Sequence, residues 1–80
     1  MIKSLSIIFP IFNEELRLEA SFQHILNFLK KKKNFKIEII FSDDGSNDNS
    51  LILIEKFTKN FKKFKTRNNV SFQIVKSKKK

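Results

Sequence analysis

Residues 37–50 read IEIIFSDDGSNDNS. The apolar body Ile37, Ile39, Ile40 and Phe41 stops abruptly at Asp43, Asp44 and Gly45, the single glycine of the chain. β-Branched and aromatic residues in such a run predict a strand. Asp44-Gly45 suits a turn, and Asn47, Asp48 or Asn49 suits the cap of a following helix. That helix is legible downstream, because Ile54, Phe57, Phe61 and Phe64 recur at helical spacing.

Upstream, residues 4–12 read SLSIIFPIF and predict another strand. Its continuous apolar stretch at Ile7, Ile8 and Phe9 is the pattern of a strand buried on both faces of a parallel sheet. Pro10 has no N–H for a ladder, so the strand is expected to end there. The period then changes. Leu18, Phe22, Ile25 and Leu29 form a helical stripe widened by Leu26. Asn13 is the expected N-cap, Glu14 and Glu15 suit the positive end of the helix dipole, and Lys30 to Lys33 suit the negative end. Val70, Phe72 and Ile74 alternate as a third strand. The order β-α-β-α-β predicts an α/β, Rossmann-like fold with a parallel sheet and right-handed crossovers.

The bulk composition fits one small globular domain: 80 residues, 40% hydrophobic and 31% charged. There is no cysteine, which excludes disulfides, thiol chemistry and Cys-based zinc sites. The net charge is +9, concentrated at Lys30 to Lys33, residues 62–65 and residues 76–80. Such blocks attract phosphates. A non-enzymatic basic module for nucleic acid or anionic membrane is therefore the alternative to an enzyme. No run approaches the ~20 apolar residues of a bilayer span, and no signal-peptide cleavage pattern is present.

In a parallel sheet, ligands bind beyond the carboxyl ends of the strands. PIFNEE and SDDGSND both fall at that edge, so acids distant in sequence are expected to meet there. A calcium loop is a weaker match. Asp44, Ser46, Asp48 and Glu55 fall at the first, third, fifth and twelfth positions of an EF-hand, but Asn49 replaces the required glycine and a strand precedes the loop. His24, flanked by Gln23 and Asn27, is expected to be a solvated surface residue.

SIIFPIFNEELRL followed by IEIIFSDDGSNDNS resembles the start of family 2 glycosyltransferases, which have the GT-A fold. The NEELRL variant resembles the dolichyl-phosphate beta-glucosyltransferase branch. The resemblance implies that Pro10 and Phe12 line the base of a nucleotide-sugar, Glu14 helps hold the nucleoside, and Asp44 accepts the uracil imide proton. It implies that Asp43 and Gly45 shape the loop. Phe12 stands where the family more often has tyrosine. The implied parent reaction is sugar transfer from UDP-glucose, a similar UDP-sugar or GDP-mannose to a polyprenyl or dolichyl phosphate. The implied cofactor is magnesium or manganese, with the metal motif and any catalytic residue outside this chain. Residues 1–80 are thus expected to be an N-terminal fragment of a glycosyltransferase domain, inactive alone. The expected setting is cytoplasmic, with peripheral contact at the cytoplasmic membrane face and no specific nucleic acid. Phe41, Phe57, Phe61, Phe64 and Phe72 are expected to lie where a missing partner surface would pack.

Overall fold

The computed structural model describes residues 3–64 and 69–76, with the side chains at 63 and 64 outside that description. The elements are β1 (Lys3–Ile11), α1 (Glu15–Lys31), β2 (Phe35–Asp43), α2 (Ser50–Phe64) and β3 (Val70–Lys76). All strands are parallel, in the order β1-β2-β3. Ile7 pairs with Ile39, and Ile39 with Phe72, so apolar residues stack in rows across the sheet.

Both helices cover the same sheet face. The buried α1 residues Leu18, Ile25 and Leu29 and the buried α2 residues Ile54 and Phe61 join Ile37, Ile39 and Phe41 of β2 in one core. Phe41 is the hub. Its ring lies 5.7 Å from Phe9 and 6.4 Å from Phe72, while Phe22 and Phe57 meet it edge-on at 6.4 and 6.5 Å. Phe22 and Phe57 stack on one another at 4.2 Å, which locks α1 against α2. Burying each such ring stabilises the fold by about 1.5–3 kcal/mol, with a further contribution from the ring pairs.

Three expectations change. Phe41, Phe57, Phe61 and Phe72 do not form a partner surface; they fill the helix-side core. Phe64 has its side chain outside the described residues. β1 is not buried on both faces. Its Leu5, Ile7 and Phe9 pack against the core, whereas Ile8 is 62% exposed on the opposite face. The cause is topological: with both helices on one side, the other face has no cover among the described residues. Finally, β1 passes through Pro10, which pairs in register with Ser42, and ends at Ile11. An edge strand tolerates proline because one row of its N–H positions faces no partner.

Candidate functional site

β1 and β2 end side by side, with Ile11 opposite Asp43. The two polar segments that follow are therefore neighbours. The Asp44 N–H donates to the Ile11 carbonyl at 2.8 Å, continuing the ladder one step into the loops. Gly45 then takes φ 85°, and Asn13 takes φ 49°. Both lie in the left-handed region, which glycine and asparagine tolerate best.

The loops are knotted by short polar side chains. Three consecutive N–H groups of the first loop donate into the second: Asn13 to Ser46 Oγ at 2.9 Å, Glu14 to Ser50 Oγ at 2.9 Å, and Glu15 to Asp48 Oδ2 at 3.2 Å. The second loop donates back. Asn47 N–H reaches Asn13 Oδ1 at 2.8 Å, and Asn49 gives its N–H and its side-chain amide to the Glu15 carboxylate. Within the second loop, Asp43 Oδ2 accepts from the N–H groups of Gly45 and Ser46.

Asn13 is not the N-cap of α1. Glu14 occupies that position and supplies no side-chain cap. The donors at the helix start are instead satisfied across the loops by Ser50 and Asp48. Asp48 serves both helices, since its Oδ1 accepts the Ser50 N–H at 2.9 Å while its Oδ2 takes that of Glu15. The Ser50 hydroxyl, followed by backbone donors at Ser50 and Glu15, holds its carboxyl below the ordinary value of 3.8, against a smaller opposing effect of desolvation. Residue types gave only the capping half of this. Ser46 and Ser50 went unassigned because a cross-loop acceptor leaves no periodic signal. The one available hint was the density of Ser, Asp and Asn immediately after a strand.

Phe12 is 53% exposed and Asp44 is exposed, on adjoining loops. Pro10 is exposed at the end of β1. Glu14 is half-buried and lies 3.7 Å from the Arg17 guanidinium. Asp43 is buried, and its Oδ1 has no hydrogen-bond partner among the described residues. His24 is exposed on α1. Among the described residues no three His, Cys, Asp or Glu side chains gather as a metal site. Asp48 and one oxygen of Asp43 accept backbone N–H donors that hold the loops together.

No solved structure matches this chain. The model of glycosyl transferase family 2 matches residues 6–74, a span that takes in both knotted loops. The chain belongs to glycosyltransferase family 2. Its open β-α-β-α-β sheet is a partial Rossmann-like sheet of the GT-A kind. Among the family 2 relatives, dolichyl-phosphate beta-glucosyltransferase of Mus musculus is 35% identical over 69 residues, covering 81% of this chain and 21% of that protein. The Saccharomyces cerevisiae protein of the same description is 35% identical over 66 residues, 76% of this chain and 20% of that one. Chondroitin synthase of Pasteurella multocida is 36% identical over 53 residues, 66% of this chain and 5% of that protein. The chain thus spans about a fifth of the length of the dolichyl-phosphate glucosyltransferases it matches, the branch to which NEELRL points.

Proposed function

We propose that this chain is the nucleotide-sugar-binding part of a glycosyltransferase that moves glucose, or a related hexose, from a UDP-sugar to a polyprenyl or dolichyl phosphate. The relatives named for dolichyl phosphate and glucose support the acceptor and the sugar. The match to chondroitin synthase supports a donor-side role, because a segment shared by enzymes with different products serves what they have in common.

The observation that carries the reading is the junction of the two loops through the Asp44 N–H and the Ile11 carbonyl. It keeps Phe12, one residue after Ile11, beside Asp44. In this reading the Phe12 ring and Pro10 lie against the base, the Asp44 carboxylate accepts the imide N–H of uracil, and Glu14 takes a nucleoside hydroxyl. Asp43 and Gly45 set the loop that presents Asp44. An ionised carboxylate suits the imide donor, since charge-assisted bonds of this kind are short and strong. In the parent reaction an oxygen of the acceptor phosphate bonds to C1 of the sugar, the C1–oxygen bond to the diphosphate breaks, and UDP departs. The ligands of a magnesium or manganese ion are not among the acids of this chain in this reading. No described helix is long and apolar enough to cross a membrane, and the reading places the chain at the cytoplasmic membrane face as a peripheral partner.

Calorimetric titration with UDP tests the assignment. The parent chain is expected to bind, and Asp44→Asn to bind about tenfold or more weakly, the cost of losing a charged acceptor. A parent that ignores UDP, or an Asp44→Asn variant that binds like the parent, overturns it.

A further inference from the structure

α1 and α2 turn their buried stripes toward the same sheet face, so their opposite stripes look away from the sheet together. On an α-helix the residues half a turn from the core stripe define that outer surface. On α1 they include Leu16, Asn27 and Lys31, with Lys30 at the margin, and on α2 they include Ile52, Glu55, Lys56 and Lys59, all exposed. Leu16 is 98% exposed and Ile52 is 51% exposed.

These two aliphatic side chains belong together. Each lies in the first turn of its helix, and the Asp48 carboxylate ties those two turns to each other. Leu16 is two residues from Glu14 and Ile52 two from Ser50, so each exposed aliphatic side chain stands in a first turn beside the nucleotide loops. The lysines continue the same surface toward the far ends of the helices. Glu19 falls on the flank of α1 and lines the groove between the helices with Lys56 and Phe57, whereas Glu55 shares the outer stripe of α2 with Ile52 and Lys59 by helical spacing. The outer stripes beyond the first turns therefore carry Lys31, Lys56 and Lys59 against the single carboxylate of Glu55, a net positive surface among the described residues.

We propose that this outer face of the two-helix layer docks on an anionic phospholipid bilayer. Leu16 and Ile52 enter the boundary between headgroups and acyl chains, and Lys30, Lys31, Lys56 and Lys59 lie among the lipid phosphates. An aliphatic tip with a basic surface behind it is the arrangement that binds membrane interfaces. A nucleic acid would engage the lysines, but its phosphate backbone offers nothing to Leu16 and Ile52. The proposal deepens the reading of a lipid-linked acceptor, for it brings the rim of the nucleotide loops down to the bilayer surface.

The test is sedimentation with vesicles of phosphatidylcholine alone and with about 30% phosphatidylglycerol, at low and high salt, with UDP affinity measured on each variant. The parent is expected to bind the anionic vesicles, with salt weakening binding. Lys30→Gln with Lys59→Gln should weaken partitioning about tenfold. Lys3→Gln with Lys36→Gln removes the same charge from outside the helix layer and should weaken it less than twofold. Leu16→Ser with Ile52→Ser should cut vesicle binding several-fold while leaving binding to a DNA duplex unchanged. UDP affinity should stay at the parent value in all three. Absence of binding to anionic vesicles overturns the proposal. So does equal loss from the two lysine pairs, which would mean only the diffuse field of a +9 chain, or indifference to the serine pair, which would mean a general polyanion surface. Vesicle binding without UDP binding leaves this face standing and removes the nucleotide reading; UDP binding without vesicle binding does the reverse.

Discussion

Phe41 and Asp43 are two residues apart on β2 and share one face of the sheet, and both are buried. Phe41 sits among rings from both helices and both neighbouring strands. Asp43 sits at the strand end, with one oxygen on two backbone N–H groups and the other unpartnered among the described residues. One environment is non-directional, insensitive to charge and strong. The other is directional and made of single hydrogen bonds. The contrast separates what makes the chain fold from what gives the carboxyl edge its shape, although both are reached from the same strand.

Substitutions can break or sharpen that contrast. Phe41→Ala has the largest expected effect, about 3–5 kcal/mol of stability, read by urea denaturation; a loss under ~1 kcal/mol would show that the ring cluster is not the hub. Ser50→Ala comes next. It strips the part-buried Glu14 N–H of its acceptor, at a cost of about 1 kcal/mol, and amide hydrogen exchange should report lost protection at Glu14 while the Phe41 amide follows only the global stability. Acid dependence is third. The Asp48 carboxyl is depressed in the folded state below its ordinary 3.8, so its stabilising contribution is complete above that value and is lost as pH falls through the lower folded value. Thermal melts should therefore weaken below about pH 4, and Asp48→Asn should flatten that limb; an unchanged acid limb would detach Asp48 from the knot. Ile8→Thr, on the uncovered sheet face, has the smallest expected effect, within about 0.5 kcal/mol. A larger loss in the monomer would mean that this face is covered.

The core was legible because it is periodic. The stripe from Leu18 to Leu29, its counterpart through Ile54, Phe57 and Phe61, and the alternation at Val70, Phe72 and Ile74 all pack inward as read. The open face was not legible in β1. Ile8 is as apolar as Ile7, and only the side on which the helices land tells them apart. At the carboxyl edge the meeting of the two motifs followed from strand polarity alone. The knot did not, because its bonds join residues 33 to 36 apart in sequence through side chains that look like ordinary turn formers. The misplaced N-cap has the same origin. Local chemistry favoured Asn13, and tertiary acceptors at Ser50 and Asp48 made a local cap unnecessary.

The strand order β1-β2-β3 follows the order of synthesis. Each new strand leaving a ribosome finds its partner already made, and no strand must wait for a later one to be inserted beside it. Every residue of the loop knot is present once Ser50 has been added, whereas the ring cluster needs Phe57 and Phe72. During translation, then, the carboxyl edge is complete in composition before the packing that stabilises it exists. Such a nascent chain exposes its unfinished apolar face for the time taken to add twenty-odd residues, on the order of one to five seconds, and that interval is when a chaperone has something to hold.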